Sequence, residues 1–112
     1  MRLLRAYTVK LKNEGFTVET ENDGTKAVEK IKQFGPDVIL LDVLLPQKNG
    51  WDILSDLKDD GALKDIPVIM VSNIGSSEKE IEAIDAGASA YLVKSNTPLE
   101  DLVQKIRNLI SE

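Results

Sequence analysis

The chain has 112 residues, a length that fits one domain with a single core. Apolar residues make up 42% and charged residues 29%, which excludes a disordered tail, and a net charge of -5 speaks against nucleic acid or an anionic membrane as direct ligand. There are no cysteines and no histidines, so disulfides, thiolate nucleophiles, Cys/His zinc centres and histidine-based triads are all excluded; any chemistry must run on carboxylates, lysines and hydroxyls.

In chain order, Leu3, Leu4, Tyr7 and Leu11 recur at helical spacing and Gly15 supplies a stop, so residues 2–14 are predicted to form an amphipathic helix. Phe16-Thr17-Val18-Glu19-Thr20 alternates as a short strand would. Asn22-Asp23-Gly24 then caps a helix over Ala27, Val28 and Ile31 to about Phe34, closed by Gly35-Pro36. Val38 to Leu41 is apolar at every position, as expected of a strand covered on both sides by helices. A helix over Trp51, Ile53, Leu54 and Leu57 ends near Gly61, and Pro67 to Val71 gives a second fully apolar strand. Ser76 and Ser77, with Glu80 in capping-box position, open a helix over Ile81 and Ile84 to Gly87. Ala90 to Val93 is a small strand. Pro98 begins a last helix carrying Leu99, Leu102, Val103, Ile106, Leu109 and Ile110. The order is one helix followed by four strand–helix units, an α/β domain with a doubly wound parallel sheet. No apolar stretch approaches the roughly 20 residues that span a bilayer, and the N-terminus does not resemble a signal peptide, so a cytoplasmic protein is expected.

In an open parallel sheet, ligands bind outside the carboxyl ends of the strands. Asp42, Ser72 and Lys94 each stand at the first position after an apolar run. A carboxylate, a hydroxyl and an ammonium on one edge suit the holding of a transferable phosphoryl group: the carboxylate as nucleophile, the cation as counter-charge, the hydroxyl as donor to a phosphoryl oxygen. Each alone would pass for a solvated loop residue.

The segment Pro36-Asp37-Val38-Ile39-Leu40-Leu41-Asp42-Val43-Leu44-Leu45-Pro46, with Gly50 and a following helix, resembles the phosphoacceptor segment of two-component response-regulator receiver domains. Ile66 to Ser72 and Ala86 to Lys94 resemble that family's later signatures, and the match runs from residue 1 to the C-terminus. The resemblance implies a flavodoxin-like receiver fold in which a partner histidine kinase phosphorylates Asp42, with Ser72 and Lys94 contacting the phosphoryl group. It further implies that Tyr91 changes rotamer as Ser72 moves, and that magnesium is held by Asp42 and the backbone carbonyl of Leu44.

Receiver domains begin with a short apolar strand ending in an acidic pair that holds the magnesium, and this chain starts at what reads as the helix after it. Only Asp42 and the Leu44 carbonyl remain from the family's metal set, so magnesium binding is expected to be weak or absent. Glu21 and Asp23 read as turn and capping residues rather than replacements. In the family's strand order 2-1-3-4-5 the first strand lies between the strands expected at 16–20 and 38–41. Losing about five buried apolar side chains removes roughly 7 to 15 kcal/mol, the whole stability of an ordinary domain. Strand exchange with another copy, direct pairing of the two flanks, or an upstream segment would each relieve the gap, and a homo-oligomer is expected.

Ser95 stands where the family places a proline after the lysine, so the Lys94–Ser95 bond is expected to be trans. Leu44 either excludes hydrolytic water or only packs. The last helix has a polar face of Glu100, Asp101, Gln104, Lys105 and Arg107, and with the Tyr91 strand and the helix after Ser77 it matches the surface by which receivers dimerise or touch effectors. The sequence thus points to a phosphorylation-controlled interaction switch rather than a turnover enzyme. A phosphorylation-incompetent pseudo-receiver acting only through protein contacts competes with it. A flavodoxin-like nucleotide or flavin module is the weaker third class, because no Gly-rich phosphate loop follows any strand.

Overall fold

The computed structural model describes residues 2–21, 23–42, 50–72, 77–93 and 98–110, with residues 2–6 described by backbone alone. In chain order the elements are α1 (Arg2–Asn13), a 3-10 turn (Gly24–Lys26), α2 (Ala27–Phe34), β1 (Ile39–Asp42), α3 (Gly50–Asp59), β2 (Val68–Ser72), α4 (Ser77–Asp85), β3 (Ala90–Val93) and α5 (Leu99–Ile110).

Local chemistry sets the helix ends. The chain leaves α1 through a Schellman turn, in which Phe16 N–H donates to Leu11 O at 3.0 Å and Gly15 takes φ +96. Asp23 Oδ1 accepts from Thr25 N–H at 2.9 Å and so caps the turn that runs into α2; Gly35, at φ +66, closes that helix with its N–H on Ile31 O. At the end of α4, Ala88 N–H donates to Ala83 O at 2.9 Å while Gly87 takes φ +108. The expected capping residues Asn22 and Ser76 lie outside the described residues, as does the Lys94–Ser95 bond.

The strands pair in parallel in the order β1-β2-β3, with Asp42 beside Val71 and Ser72 beside Val93. Central β2 is buried at all five positions. Alternation sends Ile39, Leu41, Val68, Met70 and Tyr91 to one face, against α2, α3 and α4, whose Ile53, Leu54 and Leu57 are fully buried. Leu40, Ile69, Val71, Ala90 and Leu92 take the other face, against Leu11 of α1 and Leu102, Val103 and Ile106 of α5. Helices therefore cover both faces of a parallel sheet, as the sequence pattern predicts.

One predicted element is corrected. Residues 16–20 are not a strand, and the described residues hold three strands rather than four. Phe16 and Val18 do pack against the core from one side of the segment, so the alternation is real. What is missing is a neighbour: a ladder needs a second backbone about 4.8 Å away, and no strand of the described residues lies there. The two flanks have not closed on each other either. A cavity of about 740 Å³ separates residues 16–21 from residues 38–42.

α1 and α5 are clasped beside this cavity. Arg107 pairs with the Glu14 carboxylate at 2.9 Å and lies 5.6 Å from the Phe16 ring centre, while Lys10 pairs with Glu14 at 3.0 Å and with Glu100. The hydrogen bond from Lys10 holds Glu14 below the usual carboxylate range; the Thr25 hydroxyl does the same for Asp23, and the Ala62 N–H for Asp60.

Two outcomes follow. These three carboxylates bind protons more readily in the unfolded chain, so their contribution is complete above the ordinary range of 3.8 to 4.5 and is lost as pH falls through their lowered values. The urea midpoint should be flat between mildly acidic and neutral pH and should drop below that range; a midpoint that stays constant in stronger acid would contradict this. Gly87→Ala should destabilise by about 1–2 kcal/mol in the same assay, because its φ is left-handed and a Cβ would lie 3.0 Å from Lys58 Cγ. Gly15→Ala, with open space around the same atom, should cost less.

Candidate functional site

Two adjacent parallel strands end together, and each ends in a polar residue. Asp42 is the last residue of β1 and is partly buried; Ser72 is the last residue of β2 and is 2% exposed. The register puts Asp42 beside Val71, so Ser72 stands one residue further along the neighbouring strand. Both apolar runs end at the same edge of the sheet, Asp42 partly buried and Ser72 buried. Lys94, predicted to complete the set, follows the end of β3 and lies outside the described residues, as does Leu44 with its carbonyl.

Tyr91 is the second residue of β3, beside Met70, and at 8% exposure it belongs to the core cluster with Ile53, Ala83 and Ala88. It is not a surface aromatic. Trp51, at the start of α3, is half-buried against the same cluster, and Lys79 of α4 lies over its ring at 5.9 Å.

A neighbour of Asp42 went unrecognised in the sequence. Tyr7 of α1 has its phenol pushed up, first by burial and then by the negative charge of Asp42. A neutral hydroxyl is thereby kept close to the carboxylate. From sequence Tyr7 read only as one apolar position in a helical stripe, and nothing in a periodic pattern says which strand end a helix residue will face.

The acidic residues after the first helix have other work. Asp23 accepts from Thr25 N–H and from Thr25 Oγ1 at 2.7 Å, and Glu21 accepts from Asp23 N–H at 3.1 Å. Among the described residues no three acidic side chains converge as metal donors. Among the described residues Asp42 is the carboxylate that ends a strand at this rim. Magnesium commonly takes one or two carboxylates together with phosphate oxygens and several waters. The described residues do not amount to a dedicated magnesium cage.

Comparison with known proteins gives a consistent result. The family model described as the response regulator receiver domain matches residues 2–107. The gliding motility regulatory protein of Myxococcus xanthus is 40% identical over 85% of this chain and 12% of its own length, and response regulator PleD of Caulobacter vibrioides is 35% identical over 97% and 23%. The chain spans less than half the length of these relatives. The solved receiver domain of Francisella response regulator 1452 superposes with a TM-score of 0.89 at 26% identity, covering 97% of this chain and 88% of that one. The doubly wound parallel sheet is the flavodoxin-like receiver fold, and the chain belongs to the response regulator receiver domain family.

Proposed function

We propose that residues 1–112 form the phosphoacceptor unit of a two-component relay, with Asp42 as the residue phosphorylated by a histidine kinase. A carboxylate oxygen of Asp42 attacks the phosphorus of a phosphohistidine on the kinase. The P–N bond breaks, an acyl phosphate forms, and the leaving imidazole takes up a proton. Ser72 donates its hydroxyl to a phosphoryl oxygen and Lys94 supplies the counter-charge. The observation that supports this most directly is the ending of two adjacent parallel strands in Asp42 and Ser72 at one rim. The protein acts as a switch in the cytoplasm rather than as a turnover enzyme, and it does not touch nucleic acid or membrane itself.

The switch runs through Tyr91. Movement of Ser72 toward the phosphate opens space beside β3, and Tyr91 changes rotamer into it. The surface of α4, β3 and α5 then changes shape toward an effector or a second copy of the chain, forming a homo-oligomer. Ile81 and Ile84 stand exposed on α4 and give that surface apolar contacts.

Magnesium binding through Asp42 and the Leu44 carbonyl is weak here, and phosphoryl transfer is correspondingly slow. That no three acidic side chains converge among the described residues also favours a second reading, a phosphorylation-incompetent receiver that works only by protein contacts. Incubation with acetyl phosphate and magnesium, followed by intact mass, separates the two. We expect slow gain of one phosphoryl unit, abolished by Asp42→Asn; no gain at any magnesium concentration selects the second reading. Titration of Trp51 fluorescence should not saturate at sub-millimolar magnesium, and saturation there would show a tighter site than Asp42 and one carbonyl can make.

A further inference from the structure

α4 is seated with its polarity inverted. Of its residues, Ser77–Asp85, Ala83 is buried and Lys79 is half-buried; the rest are exposed, Ile81 at 61% and Ile84 at 46%. A lysine thus lies on the inner side and two isoleucines on the outer. Lys79 and Ala83 are four residues apart and share a face. The neighbouring α3 is seated by Ile53, Leu54 and Leu57, and α5 by Leu102, Val103 and Ile106, all of them buried. One buried alanine contributes far less than three large apolar side chains, so α4 depends on its other contacts.

Two contacts among the described residues join α4 to α3, one at each end. At the start, the Lys79 ammonium lies 5.9 Å from the centre of the Trp51 ring, and the same nitrogen is 3.5 Å from Glu82 Oε1 on its own helix. Trp51 is the second residue of α3 and packs against the core cluster that contains Ala83. At the far end, Gly87 lies against the stem of Lys58, where a Cβ would come within 3.0 Å of Cγ. Lys58 is itself anchored, because its Nζ donates to Lys64 O at 2.9 Å. Backbone bonds hold this end as well: Gly87 N–H donates to Ile84 O, Ala88 N–H to Ala83 O, and Ser89 N–H to Val68 O at 2.7 Å, the last joining the turn to β2. Different forces therefore hold the two ends. Packing and backbone hydrogen bonds fix the far one; a cation on an aromatic face, with the lysine side chain 42% exposed, holds the start.

We propose that α4 is a hinged element, fixed at Gly87 and kept against α3 at its start by a releasable catch, Lys79 on Trp51. Opening the catch moves the first turn of α4 away from α3 while the last turn stays on β2 through Ser89. Ile81 stands further from the hinge than Ile84 and travels further, so the exposed apolar pair is re-aimed. The device belongs to the unmodified chain and needs no phosphoryl group on Asp42.

Native-state hydrogen exchange of the intact, unphosphorylated protein tests this, with the global stability of each variant taken from urea unfolding. Lys79→Gln removes the charge. It should speed exchange of the Ile81, Glu82 and Ala83 amides about two- to fivefold beyond any global change and leave those of Gly87 and Ala88 as they are. Lys79→Arg, which keeps the cation, should exchange like the unsubstituted protein. Trp51→Leu should speed the same three amides, and Lys79→Gln placed on top of it should add nothing, since ring and cation act as one contact. Should Trp51→Leu fail to fold, the two Lys79 variants decide. The proposal is overturned if Lys79→Gln leaves exchange at 81–83 unchanged, if it speeds all of 81–88 alike, if Lys79→Arg exchanges as fast as Lys79→Gln, or if the effects of Lys79→Gln and Trp51→Leu add.

Discussion

The burial of β2 on both faces and along both edges is the constraint from which the rest follows. A strand so enclosed is apolar for four residues and ends in Ser72, which is buried as well. Its parallel ladder with β1 sets that neighbour's register, so Asp42 is carried to the same rim. Strand-terminal polar residues in such a sheet are chemically poised because the fold leaves them at the boundary of two dielectric environments.

The two edges of the sheet are treated differently. At β3, Tyr91 and Ala90 are buried although the strand is paired on one side only, because α4 and α5 close over it. At β1, Leu40 and Asp42 are only partly buried, because the neighbouring space is open. An uncovered sheet edge is ordinarily blunted by charge, and the carboxylates around this cleft do that.

Much of the fold was legible in the sequence because it is encoded locally. Gly15, Gly35 and Gly87 mark helix ends at positive φ, Asp23 caps where its spacing from Thr25 allows, and the all-apolar runs 38–41 and 67–71 announce buried parallel strands. The failure at residues 16–20 is instructive: Phe16-Thr17-Val18-Glu19-Thr20 has the alternation of a strand, but strand identity is a property of a pair, and one segment's pattern says nothing of its neighbour. At the site, Asp42 and Ser72 were legible as strand ends. Tyr7 was not, since its proximity to Asp42 arises from how α1 lies across the sheet. The burial of Tyr91 was likewise set by α4 and its neighbours rather than by the residues beside it.

The Arg107 clasp has a mechanical consequence. Arg107 belongs to α5, yet it grips Glu14 at the end of α1 and shelters the Phe16 ring that begins the far wall of the cleft. The clasp is exposed and therefore weakened by salt. A protein that leans on α5 and draws this guanidinium away would release the tie between the last helix and the turn that ends the first.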